Sequence, residues 1–190
     1  MFIRLTILWI WKVIDPLFYF FSRLHYIQGY NRQRSIFRVR VTKYKGKNII
    51  LSDGTRIHRN DLLLKIHLHN VRLLNDYIKI KNDLHRARLI YRSVFLSMPT
   101  LAGYLKTHPQ ETDIKGIIGI TTINKGIQPL GFETIRPSNF FYRRLKKIGQ
   151  LPIFLLTKSS FKKFQKNKLN YLLMSKEMLY QKYGSSPASK

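Results

Sequence analysis

The chain has 190 residues, with 35 lysines and arginines against 9 acids and a formal net charge of +26. That excess repels itself in a compact state and favours polyanions, so an anionic membrane surface, a nucleic acid or an acidic polymer is the expected kind of partner. At 44% apolar residues, with 12 Phe and 11 Tyr, the composition excludes a disordered chain, and the lack of cysteine excludes disulfides and thiolate metal sites and fits a reducing compartment.

Residues 1–21 read MFIRLTILWIWKVIDPLFYFF. The length is close to the roughly 20 residues that span a bilayer. Arg4, Lys12, Asp15 and Pro16 interrupt the run, and central charges are costly in a spanning helix. At helical spacing Arg4, Lys12, Asp15 and Ser22 share a narrow polar stripe, and Lys12 and Asp15 are placed to neutralise one another. No small-residue cleavage site follows, which argues against a secretory leader. A spanning helix would leave the basic bulk on the cytoplasmic side. The interruptions better suit a helix lying in the interface, with Trp9, Trp11 and Phe18 as membrane contacts, or a helix docked on the domain.

After a polar loop over 28–35 the period changes to two. In IFRVRV, Phe37, Val39 and Val41 alternate with Arg38 and Arg40, which predicts an amphipathic strand with a basic outer face. Lys45-Gly46-Lys47-Asn48 is a turn, NIILS a strand, Asp53-Gly54 a tight turn and Asn60-Asp61 another, followed by the strand DLLLKIHLH. Residues 36–69 thus read as a small antiparallel sheet or partial barrel. Asn70 is expected to cap a helix over 71–95 whose packing stripe is Leu73, Tyr77, Ile80, Leu84, Ala87, Tyr91 and Val94, with Arg86, Arg88 and Arg92 away from it. Pro99 interrupts, and 101–106 is a further helical turn or two. GIIGITTI and LGFETI are strands, a short helix starts at Pro137-Ser138, PIFLLT is a third strand, and a last helix covers 160–180.

Few residues carry catalytic chemistry. His67 and His69 share a strand face, with His58 and Asp61 as the nearest further ligands, but Lys65 on the same face repels a cation and no metal is expected. There is no G-x-S-x-G, no P-loop and no G-x-G-x-x-G, so neither serine hydrolysis nor the usual nucleotide binding has support, and no cofactor is expected. Asp61 and His67 are the weak catalytic candidates. The polyanion-binding candidates are Arg38 and Arg40, Arg143, Arg144, Lys146 and Lys147 after Tyr142, and Lys162 and Lys163 between Phe161 and Phe164. Basic residues beside aromatics grip phosphates and stack bases, and the same pattern suits anionic lipid.

The run KGKNIILSDGTRIHRNDLLLKIHLHNVRLL resembles the YkoP-like domain of spore-forming bacilli, which also occurs attached to polysaccharide deacetylase-like proteins. The resemblance is carried by Leu51, Asp53, Gly54, Thr55 and Ile57, then Asp61, His67 and Asn70, and by GITTI and LGFETI. Asn60 stands where the family's turn has glycine, a replacement that left-handed geometry tolerates, and Ile66 where leucine is usual. The resemblance implies a sporulation or cell-envelope setting and brings no established activity.

The expectation is an α+β protein. An apolar N-terminal helix (1–27) is followed by a single basic domain (28–183), built from a small antiparallel sheet, a long packed helix and a C-terminal α/β portion, and by a disordered tail (184–190). The expected function is that of a non-enzymatic accessory protein at the cytoplasmic face of an anionic membrane, partnered by lipid headgroups or an envelope-polymer enzyme. A nucleic-acid binder is the alternative, and an enzyme on an anionic glycan or lipid a further one.

Overall fold

A computed structural model describes residues 9, 24–28, 34–68, 72–73, 80, 82–121, 127–136 and 170–184. The elements in chain order are β1 (His25–Gln28), β2 (Arg34–Lys43), β3 (Ile49–Ile50), β4 (Arg56–Ile57), β5 (Leu62–Leu68), α1 (Asp83–Lys106), β6 (Ile114–Thr121), β7 (Glu133–Ile135), β8 (Asn170–Ser175) and α2 (Lys176–Tyr183), with a 3-10 turn at Gln128–Leu130. The α+β class is as expected. The sheet is larger than expected: six strands in the order β1-β2-β5-β6-β8-β7 form one continuous sheet, and β3 and β4 form a separate hairpin. All its pairs are antiparallel except β5 and β6. That parallel pair requires a crossover, which α1 supplies.

Both faces of the sheet are covered, and the alternation along each strand sorts the side chains between them. Phe37, Val39, Leu64, Ile117 and Met174 pack with Met98, Leu101 and Leu105 of α1 and Leu179 and Tyr183 of α2. On the other face Leu63, Ile118, Tyr171 and Leu173 pack with Tyr44 and with Leu51 and Ile57 of the hairpin region. The hairpin is closed by the Asp53-Gly54-Thr55 turn. Gly54 takes φ 84°, Gly54 N–H donates to Leu51 O (2.9 Å), and Asp53 Oδ1 accepts from Thr55 N–H (3.0 Å). Asn60 is the one described non-glycine residue at positive φ, 75°, as its place in a glycine turn implies.

Three helical expectations need correction. The described long helix is Asp83–Lys106, and Asn82 caps it, its side chain accepting from Leu84 N–H (2.9 Å) and His85 N–H (3.0 Å). Asn82 has extended φ/ψ, so a single helix over 71–95 is not formed; Asn70 lies outside the described residues. The packing stripe is rotated in part: Leu73 and Val94 of the expected stripe do meet the core. Ile90, Val94, Met98, Leu101 and Leu105 meet the core, whereas Leu84 is 62% exposed and Ala87 and Tyr91 are exposed. Arg86, expected on the polar side, is buried and donates to Ile80 O (2.9 Å). Pro99 lies inside the helix instead of ending it.

At the C-terminal end the residues expected to be helical up to 180 include a strand. NYLLMS pairs with β6 on one side and β7 on the other, and only Lys176–Tyr183 is helical. A short apolar run has no decisive period, and partners on both edges settle it as a buried strand. The expected short helix after Pro137 and the strand PIFLLT fall outside the described residues, as does the N-terminal helix apart from Trp9. His25 to Ile27, within the stretch assigned to that helix, are extended in β1.

Candidate polyanion-binding site

The alternation of β2 turns Arg38 and Arg40 away from the α1 side, as the sequence implies, but they do not form a solvated outer face. Arg38 is only 3% exposed and Arg40 is half-buried. The register of β2 with β5 sets Arg38 opposite His67 and Arg40 opposite Lys65, and β1 adds Tyr26 opposite Arg38. These five side chains therefore share one face of three adjacent strands. Paired Cα atoms in such ladders lie about 4.5–5.5 Å apart and like-facing residues along a strand about 7 Å apart, so the four basic groups occupy a block of a few ångströms on a side. Lys65 is 7% exposed and His67 half-buried.

Tyr26 orients the first arginine. Its phenol oxygen accepts a hydrogen bond from Arg38 Nη2, and the guanidinium carbon lies 4.8 Å from its ring centroid. An arginine held by both a hydrogen bond and a ring has a fixed orientation. Beside the block the sheet face turns apolar, with Ile118 in register with Lys65.

Asp61 and His67 are not brought together. Asp61 precedes β5 and His67 is its penultimate residue, about 20 Å away at the rise of an extended strand. The carboxylate of Asp61 has a turn role, accepting from His58 N–H (2.7 Å). No third ligand joins His67: among the described residues no group of three His, Asp or Glu converges, and His69 lies outside them. Arg143, Arg144, Lys146, Lys147, Lys162, Lys163, Trp11 and Phe18 also lie outside the described residues, and Trp9 is 69% exposed.

The structure reveals a second surface, which includes Leu84 and Tyr91 of the expected packing stripe. Leu84, Tyr91, Phe95 and Leu96 are exposed on α1, and Arg88 and Arg92 lie among them on the same side of the helix. At 100° per residue these six positions fall within about 140° of one another, a continuous apolar and basic face. The sequence signal was present but misread. The stripe through Leu84 and Tyr91 is a real helical stripe, and the one through Ile90, Val94, Met98, Leu101 and Leu105 lies beside it; only the sheet decides which one is buried. Among the described residues no helix is long and apolar enough to cross a membrane.

The fold is that of an α+β domain with one six-stranded sheet. The YkoP domain model matches residues 4–183, and the chain belongs to that family. The chain is 47% identical over 174 residues to a protein of Bacillus subtilis (strain 168) named "Uncharacterized protein YkoP", covering 92% of this chain and 94% of the relative. No solved structure matches it significantly.

Proposed function

We propose that this protein is a non-enzymatic accessory protein that lies on an anionic membrane surface, at its cytoplasmic side, in a cell-envelope or sporulation setting. The observation that carries the reading is the exposed face of α1. Large apolar groups cost free energy when left in water, and monomeric proteins rarely line them up. Leu84, Tyr91, Phe95 and Leu96 in one row suit the headgroup boundary, and Arg88 and Arg92 suit anionic lipid, each basic group near such a surface contributing on the order of 1 kcal/mol. The net charge of +26 adds long-range attraction of the same sign.

Vesicle flotation tests it. The full-length protein is expected to float with phosphatidylglycerol vesicles at physiological salt and not with phosphatidylcholine, and Leu84→Gln with Leu96→Gln to weaken flotation. Failure to float with either vesicle rejects the membrane reading. Salt-sensitive binding to DNA or RNA in the same buffer would then support the nucleic-acid alternative.

A further inference from the structure

α1 and the β3–β4 hairpin pack on opposite faces of the sheet. Stacked layers of about 10 Å each separate them, so the hairpin side lies beyond the Debye length of about 8 Å from a membrane under α1 at physiological salt. We propose that Lys45, Lys47, Arg56 and Arg59 form a second surface there, which holds a linear phosphodiester chain by its backbone. Two turns are clamped side by side to build it. Tyr44 N–H donates to Asp61 O (2.8 Å) and Asn60 N–H to Tyr44 O (2.9 Å), which sets Lys45 beside Asn60. Asn48 Oδ1 accepts from Arg59 N–H (3.0 Å), which sets Lys47 beside Arg59. Gly46 lets the first turn close over the Tyr44 ring, whose hydroxyl occupies the place a Cβ would take. In the hairpin Ile57 is buried against the sheet, whereas Ile50 and Arg56, opposite one another across the ladder, are exposed.

All four basic residues are exposed. The acids of the two turns serve other groups: Asp53 binds Ser175 and Thr55, and Asp61 accepts from His58 N–H. Among the described residues the ion pair is Lys176 with Glu111, and none of the four takes part in it. The chemistry of the surface selects its partner. Lysine is depleted at protein–protein interfaces, whose centres are apolar, and Ile50 is the one large apolar side chain exposed on the hairpin. Tyr44, the one aromatic residue of these turns, is 3% exposed, so no ring is presented for a base to stack on. Ammonium groups meet phosphates as point charges and guanidiniums as forks, contacts that follow a backbone without reading a sequence. A nucleic acid and a polyol-phosphate polymer share this backbone.

Fluorescence anisotropy of a labelled abasic DNA oligomer with the full-length protein tests it, over a series of salt concentrations. The oligomer is expected to bind, with log K falling linearly against log salt. Lys45→Gln and Lys47→Gln should each make that slope shallower by about 0.7, the value for one lost phosphate contact on a single strand. Arg136→Gln removes the same charge from an exposed position after β7, at the other end of the sheet, and should leave the slope unchanged. Should either lysine variant melt early, Arg56→Gln and Arg59→Gln carry the same expectation. Competition by oligothymidylate should match that of the unlabelled abasic oligomer, and polyglutamate should compete no better. Poly(glycerol phosphate) separates the sources: competing at a lower concentration than the abasic oligomer, it marks a polyol-phosphate polymer, and at a higher one a nucleic acid. No binding, or an equal change of slope in Arg136→Gln, would overturn the proposal, since any attraction would then be diffuse. Stronger competition by oligothymidylate would show base readout, and by polyglutamate an acidic protein partner, and either overturns it too. No vesicle enters the assay, so this surface and the membrane reading fail separately.

Discussion

The Ser175 hydroxyl donates a hydrogen bond to Asp53 Oδ2 while its oxygen accepts from Met178 N–H at 2.9 Å. One buried side chain thus joins the turn at the head of the β3–β4 hairpin to the first turn of α2, across 122 residues of chain. The turn is therefore more than a local signal. It is a docking point for the end of the fold, reinforced where Ser52 donates to Glu133 from both its backbone N–H (2.8 Å) and its hydroxyl (2.7 Å).

Ser175→Ala removes both functions. The cap alone is worth about 1 kcal/mol, and the Asp53 carboxylate loses a donor as well. A lowered urea midpoint is expected. Partial burial pushes the Asp53 carboxyl up, but hydrogen bonds from Ser175 and Thr55 outweigh it and hold it below the ordinary carboxylate value. Because the folded value is the lower one, the stabilisation is present above the unfolded value and is lost as pH falls through the folded one. Urea titrations between pH 6 and pH 2 should show this loss in the wild type and a smaller one in Ser175→Ala; equal losses would refute the coupling.

Glu111 gathers the opposite edge of α2. It takes a hydrogen bond from Tyr180 Oη (2.9 Å) and an ion pair with Lys176 (3.2 Å), and these hold its carboxyl below the usual range. Burial, and then Glu111 itself, push the Tyr180 phenol well above its ordinary value, and burial pushes Tyr183 up to about 12. Alkaline difference absorbance should therefore show both phenols ionising late, and Glu111→Gln should bring one of them forward. An unchanged titration would remove Glu111 as a cause.

Gly116 sits opposite Ser175 where β6 meets β8. A Cβ there would lie 2.4 Å from the Met174 carbonyl oxygen, a backbone atom with little room to retreat. Gly116→Ala is expected to cost about 1–3 kcal/mol, the usual range for overpacking, read from the urea midpoint. By contrast Gly119 has only ordinary contacts, its nearest neighbour an Ile66 side-chain carbon at 3.4 Å, and Gly119→Ala is expected to cost less.

Asn60 tests the turn. At φ 75° an L-residue without a short polar side chain is strained, so Asn60→Val should destabilise by about 1–2 kcal/mol, and Asn60→Gly should be neutral or mildly stabilising. Thermal melting of the pair checks the order, and the reverse order would be inconsistent with a left-handed requirement.

The α1 surface predicts a separation of stability from binding. Leu84→Gln and Leu96→Gln change side chains that are each 62% exposed, so stability should shift by less than about 0.5 kcal/mol. Vesicle flotation should fall nevertheless. A large loss of stability would mean that this face is packed in the native protein.

Particular residues show how far the sequence could be read. Alternation placed Phe37, Val39 and Val41 on one side of β2 and Arg38 and Arg40 on the other, and the structure keeps that division. Alternation says nothing about what lies over the second side, so the depth of Arg38 was not legible. The same limit applied to α1, where two adjacent helical stripes are both apolar and the choice between them depends on the position of the sheet. NYLLMS is expected as part of a helix because its own pattern is indifferent, although Ser175 is a usable N-cap residue and Glu177 an acid in the first turn of the short helix after it.

The local chemistry was determined by the chain alone. Asp53-Gly54 and Asn60 dictate turns because few residues accept left-handed backbone, period-two runs dictate strand faces, and +26 gives the chain an electrostatic preference for anions. Tertiary structure decided everything that depends on a neighbour distant in sequence. It paired β6 with β8, made Ser175 the partner of Asp53, and gathered Tyr26, Arg38, Arg40, Lys65 and His67 into one block. Register between strands is a property of two segments at once, and the burial of a charge depends on every element packed around it.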